Sequence, residues 1–273
     1  MDKSKITYHS RNQYQKSSKN LLDRQNLWIL GNNQIQFQKW LYKNSQLDSA
    51  ISLLELGSGR GDFCLKNRSY IHYIDTLVVS DYSKKMIKIL HNNLLPLLSN
   101  IKILQIDAQH LPFRKETFDK ILGFHMFYHV PDLGEVFSEI TRVLRPNGKL
   151  IASTNSETHM EELNLLLESH NFHIKAHRNH FLNKFTLENA PKIMGEFFNT
   201  IIIKKYLNIV DITLKNINIL KKYILSLNLI DMSSKKSKEW NILEEDLKSI
   251  IKREGYFRIS GRSGILICSN IRK

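Results

Sequence analysis

Leu53-Leu54-Glu55-Leu56-Gly57-Ser58-Gly59-Arg60-Gly61-Asp62-Phe63 is the stretch on which the fold turns. Residues 51–56 are apolar apart from Ser52 and Glu55, and predict a short buried strand of a parallel sheet. Glycines at 57, 59 and 61 let that strand turn tightly into a helix and leave room for a ligand against the backbone. A helix starting near Gly61 directs free N–H groups at whatever binds there.

The spacing is G-x-G-x-G, whereas the pyrophosphate-binding dinucleotide fingerprint sets its third glycine one position later. The residues E-L-G-S-G-R-G resemble motif I of the class I S-adenosylmethionine-dependent methyltransferases. The resemblance implies a Rossmann-like α/β fold: a seven-stranded mixed sheet, its seventh strand antiparallel, with helices on both faces. It implies S-adenosyl-L-methionine as cofactor, held in part by Glu55, Gly57, Ser58, Gly59 and Gly61.

Downstream residues extend the pattern. Residues 77–80 read as a second buried strand ending at Asp81, twenty positions beyond Gly61, where a carboxylate can accept both ribose hydroxyls. Tyr82 follows and could lie against adenine, and Ser83 is a good N-cap for the next helix. A third strand over residues 101–106 ends at Asp107-Ala108. With Leu111-Pro112-Phe113 and Phe118-Asp119 this is similar to the adenine-recognition loop of the same family, Asp107 taking the amino group and the Ala108 N–H a ring nitrogen. A fourth strand, residues 120–124, runs into His125-Met126-Phe127-Tyr128-His129-Val130-Pro131-Asp132. That run, followed by R-V-L-R-P-N-G at 142–148, is similar to the small-molecule and quinone-biosynthesis branch. The resemblance covers residues 50–155.

Cofactor and acceptor of such a fold meet after the fourth strand. His125 is therefore expected beside the cofactor, and His129, His125 and Tyr128 are candidate catalytic groups. His129 is the first choice for a base because an unperturbed imidazole titrates near neutrality. Asp132 and Glu135 have capping-box spacing.

The flanks are less regular. Residues 1–45 predict an N-terminal helical lid with two short helices, and Tyr8, Tyr14 and Arg24 are candidates for the acceptor pocket. Residues 46–273 form the methyltransferase domain, with a sixth strand at 201–203 and a helical insertion about 207–254 that caps the site. The last strand is expected to bend at Gly261 and Gly264. Trp28, Trp40, Phe197, Phe198 and Trp240 would suit an enclosed apolar pocket.

Forty Lys+Arg against 26 Asp+Glu give a formal net charge of +14. The basic residues are scattered without a run of five or six, so the charge reads as compositional drift more than as a nucleic-acid footprint. Base-methylase signatures are missing after the fourth strand, which runs Phe124-His125-Met126-Phe127. His170, His173, His177 and His180 share a helical face, but the first and last would stand ~15 Å apart, so no metal is expected. Two cysteines and the absence of a ~20-residue apolar run suggest a cytoplasmic protein without a membrane span. The expected activity is methyl transfer to an oxygen or nitrogen of a small-molecule acceptor by a monomer or homodimer. RNA or peptide methylation, with nucleic acid as partner, and a non-catalytic cofactor-binding relative are the less favoured readings.

Overall fold

A computed structural model describes residues 18–47, 51–172, 184–227 and 236–272. Its centre is a seven-stranded sheet in the order β3-β2-β1-β4-β5-β7-β6. The strands are β1 (Ser52–Leu56), β2 (Thr76–Asp81), β3 (Ile101–Gln105), β4 (Phe118–Phe124), β5 (Leu144–Asn155), β6 (Phe198–Ile212) and β7 (Phe257–Ile271). β1 pairs in parallel with β2 and β4, whereas β7 runs antiparallel between β5 and β6, as expected. The chain steps outward to β2 and β3, then returns past β1 to β4. That reversal opens a crevice at the carboxyl ends of β1 and β4, where open α/β sheets bind ligands.

The strand pleat divides the core in two. Leu53 packs with Leu77, Val79, Leu122 and Ile151 under α2 (Phe37–Asn44), α3 (Asp62–Ile71) and α4 (Lys84–Leu94). Leu54 packs on the opposite face with Val78, Ile121 and Ala152. That face is covered by α5 (Leu133–Val143), whose Leu133, Val136, Phe137, Ile140 and Val143 are all buried. Each such side chain contributes about 1.5–3 kcal/mol of burial. A third apolar cluster joins α1 (Ser18–Ile29), α6 (Glu161–Ser169), α8 (Ile217–Ser226) and α9 (Lys236–Glu254) to the ends of β6 and β7. The short α7 (Ala190–Met194) precedes β6.

Several boundaries differ from expectation. The sixth strand extends over fifteen residues, so 207–212 belong to β6 and the helical insertion starts after Ile212. Alternating burial from Tyr206 to Ile212, hidden in a mixed polar sequence, marks this extension. β7 is continuous through Gly261 and Gly264. These glycines serve close approach: a Cβ on Gly261 would lie 2.5 Å from the Trp28 ring, and one on Gly264 2.5 Å from the Lys204 carbonyl.

In the N-terminal segment α1 packs on α8 and α2 on α3, and the stretch between them docks on β6. Asn208 donates to the Trp28 carbonyl and accepts from the Asn33 N–H, and Tyr206 donates to the Ile35 carbonyl. Phe198 and Trp240 are core side chains and Phe197 packs on that core, so these three do not build an enclosed pocket. Tyr8, Tyr14, His173, His177 and His180 lie outside the described residues. His170 hydrogen-bonds Asp246 at 2.9 Å, and among the described residues no group of three metal-ligating side chains occurs.

Candidate active site

The glycine loop folds as its composition requires. Gly57, Gly59 and Gly61 all have positive φ, +63°, +57° and +80°. A Cβ on Gly57 would strike Met126 at 2.7 Å, and one on Gly61 the Leu90 and Leu94 side chains. Gly59 differs: nothing lies within 4 Å of its Cβ position, so the loop is open at this point. Its N–H donates to Asp81 Oδ2 at 2.9 Å, while Asp81 Oδ1 accepts from the Ser83 N–H at 2.8 Å. Each carboxylate oxygen keeps a second lone pair for a hydroxyl donor. Removal from water raises the Asp81 pKa, and the two N–H groups pull it back. The Ser58 hydroxyl turns back to the Glu55 carbonyl at 3.3 Å.

Glu55 points to the face that α3 covers, as the strand alternation demands. It is buried, and accepts from Cys64 Sγ at 3.2 Å. Burial drives its pKa up to about 8, with the charges of Asp62 and Asp81 adding to the rise. Cys64 is likewise raised by burial and by facing Glu55. Asp62 and Asp81 thus stand near Glu55 at the glycine-loop end of the crevice. That donor set, with the open space at Gly59, fits a cationic ligand carrying a ribose.

Tyr82, beside Asp81, is exposed, and its carbonyl accepts from Gln105. Asp107 caps its own turn through the Gln109 N–H at 3.0 Å, with Ala108 buried beside it. The loop that follows is braced from α5. Glu139 accepts from the Leu111 N–H, and Arg142 donates to the Leu111 and Phe113 carbonyls. Asp119, at the end of the adenine-loop pattern, instead ties the start of β1 through Ser52 and pairs with Arg145 at 2.7 Å. Ser83 caps α4 weakly at 3.5 Å and Asp132 caps α5 at 3.1 Å. The capping box is not closed, because Glu135 accepts from Gln109, which also takes the Asp132 N–H.

After β4 the chain turns sharply. His125 has φ +51°, and its N–H donates to the Ser153 carbonyl at 3.1 Å. Phe127 to His129 form a single 3-10 turn. Desolvation pulls His125 down to about 4, and desolvation with the Arg24 and His125 charges pulls His129 to about 4. Both imidazoles are neutral at pH 7. The near-neutral titration assumed for His129 does not hold, and it is a weak base.

Two groups from α1 reach this crevice. Gln25 Nε2 donates to Asp62 Oδ2 at 2.6 Å, at the first turn of α3. Arg24 lies close enough to His129 for its charge to act there. From α2, the Phe37 ring sits 5.3 Å from His125 and 5.0 Å from Tyr206. Gln25, Phe37 and Tyr206 carry no sequence signal for a site, because they come from elements that follow no motif.

Residues 54–152 match the family model described as a methyltransferase domain. Together with the strand order and the glycine loop, this identifies the architecture as that of a class I, S-adenosylmethionine-dependent methyltransferase. Among curated proteins, the chain is 28% identical over 124 residues to the ubiquinone/menaquinone biosynthesis C-methyltransferase UbiE of Haemophilus ducreyi, covering 45% of this chain and 48% of that one. The chain thus spans about half the length of the curated relatives it matches. Among solved structures, the YcgJ protein of Bacillus subtilis superposes with a TM-score of 0.56 at 14% identity, over 86% of this chain and 97% of that one. Haemonchus contortus phosphoethanolamine N-methyltransferase 2, in complex with phosphomonomethylethanolamine and S-adenosylhomocysteine, gives 0.52 at 18%, over 90% and 56%.

Proposed function

We propose that this protein transfers the methyl group of S-adenosylmethionine to a small molecule. The observation that carries the proposal is the pairing of the Gly59 N–H with Asp81 at the ends of β1 and β2, beside an open face of the glycine loop. The bound cofactor would supply an electrophilic methyl on a sulfonium. Asp81 would accept the ribose hydroxyls, Asp107 and the Ala108 N–H would take the adenine edge, and Tyr82 would flank it. Gly57, Ser58, Gly59 and Gly61 would lie along the amino-acid end beside the neutral, buried Glu55 carboxyl, with Asp62 and Asp81 offsetting the cofactor's positive charge. Residues 1–45 and the insertion after Ile212 act as lid elements, reaching the crevice through Arg24, Gln25 and Phe37.

The protein's main work is to hold two reactants in line and exclude water. His125, Tyr128 and His129 stand where the acceptor would enter. With both imidazoles weakly basic, they suit positioning better than proton removal. An oxygen or nitrogen acceptor remains the proposed target, with carbon added because the UbiE relatives are named C-methyltransferases. The test supplies methyl-labelled cofactor with a small-molecule extract and, separately, with total RNA. Label in the extract alone is expected. Label in RNA alone at moderate salt would favour RNA methylation instead.

A further inference from the structure

Glu55, Asp62 and Asp81 act on one another on the cofactor side. Across the crevice, α1 brings Arg24 near His129. The two halves are tied together: Gln25, the next residue, donates to Asp62, so α1 bridges the acidic side and the turn after β4. Arg24 is half-buried and fixed, its Nε donating to Ser226 Oγ at 3.3 Å and its Nη2 to the Ser226 carbonyl at 2.7 Å. Both partners are neutral, and among the described residues no carboxylate pairs with it. Its second terminal nitrogen, Nη1, is committed to neither Ser226 bond. His125 and His129 contribute no positive charge of their own at neutral pH.

A fixed, half-buried guanidinium that no described carboxylate pairs with favours an anion beside it. Resting on the methyltransferase reading above, we propose that the acceptor binds as an anion, an acidic phenol, enol or similar oxygen or carbon acid, with Arg24 as its counter-charge. Such an acceptor needs no protein base. An electron pair on its oxygen or carbon forms the bond to the methyl carbon as the carbon–sulfur bond breaks, and that bonding pair leaves with sulfur. A cation and an anion become two neutral groups, and no proton moves. Charge annihilation of this kind is favoured where water is excluded. Arg24 then does by electrostatics what a histidine of higher pKa would do by proton transfer.

The experiment labels a small-molecule extract with methyl-labelled S-adenosylmethionine after splitting the extract at pH 9 by anion exchange into retained and unretained pools. Label is expected in the retained pool, and Arg24→Met should reduce it at least tenfold. Arg24→Lys should keep an intermediate fraction, and Ser226→Ala, which loosens the tether but leaves the charge, most of it. Calorimetry of S-adenosylmethionine on the same proteins should give unchanged affinity in Arg24→Met. Wild-type protein that binds no S-adenosylmethionine would overturn the methyltransferase reading itself. With cofactor binding intact, label only in the unretained pool, label in neither, or retained-pool label that Arg24→Met leaves within twofold would each overturn the anionic acceptor.

Discussion

A proton on Glu55 is a consequence of where β1 must put its side chains. Leu53 and Glu55 share a face, and that face lies under α3, so a carboxyl is carried into the core with the Cys64 thiol as its partner. Its folded pKa of about 8 exceeds the unfolded value of 4.5, so the folded state holds the extra proton between those limits. Stability from this group is complete below pH 4.5 and is lost as pH rises towards 8. Glu55→Gln, which mimics the protonated form, should flatten that decline: urea midpoints near wild type at pH 5 and higher than wild type at pH 8.5. An unchanged slope would assign the decline to other groups. Two neighbours test the ligand side. Gly59→Val should place a branched side chain in the open space and strain a φ of +57°, abolishing S-adenosylmethionine binding by calorimetry while circular dichroism stays native. Asp81→Ala should weaken binding by roughly 1.5–3 kcal/mol, the usual worth of charge-assisted hydrogen bonds. Normal affinity in a readily unfolded Asp81→Ala protein would make Asp81 a turn residue only.

At the scale of elements, the parts legible in the sequence are those governed by local rules. β1 and β2 are short apolar runs closed by glycine or an acid, and α5 has an apolar face of period 3.6 behind an Asp cap. Their order along the chain gives the sheet. What could not be read depends on partners distant in sequence. β6 exposes Ile202, Ile203 and Leu207 and carries Lys204, Lys205 and Asn208, so no clean alternation marks its length. Its real function is to anchor residues 28–44, through Asn208, Tyr206 and the Lys204–Asn44 bond. The low pKa of His129 is equally hidden, since it comes from burial in the folded state and from the charge of Arg24, distant in sequence, as well as of His125. The docking of α1 predicts a specific sensitivity. Gly261→Ala would put a methyl 2.5 Å from the Trp28 ring and 3.1 Å from the Asn208 carbonyl. Overpacking of this kind costs about 1–3 kcal/mol. Limited proteolysis should then release the α1 segment faster, with the sheet core still protected. Equal protection of α1 would show that Trp28 is not its anchor.

For the whole molecule the open question is what a formal charge of +14 does. A surface this basic attracts polyanions through counterion release, whether or not it recognises them. Such attraction needs no base-reading element, and among the described residues the cofactor side carries the carboxylates Asp62 and Asp81 with the single cation Arg60 in the glycine loop. The cations at the acceptor side are the half-buried Arg24 and Lys184, whose Nζ donates to the Val130 and Pro131 carbonyls, a pair suited to a small anionic group and not to a phosphate backbone. No helix among the described residues is long and apolar enough to cross a membrane. Binding of total RNA should therefore be weak and fall steeply with salt, vanishing between about 50 and 200 mM as several phosphate contacts are lost together. S-adenosylmethionine binding over the same range should change little, because its partners are short-range and partly shielded from solvent. The measurement is fluorescence anisotropy of labelled RNA alongside calorimetry of the cofactor, in matched salt series. RNA affinity that persists at 200 mM and strengthens when S-adenosylhomocysteine is bound would mean that the basic surface is part of the acceptor site.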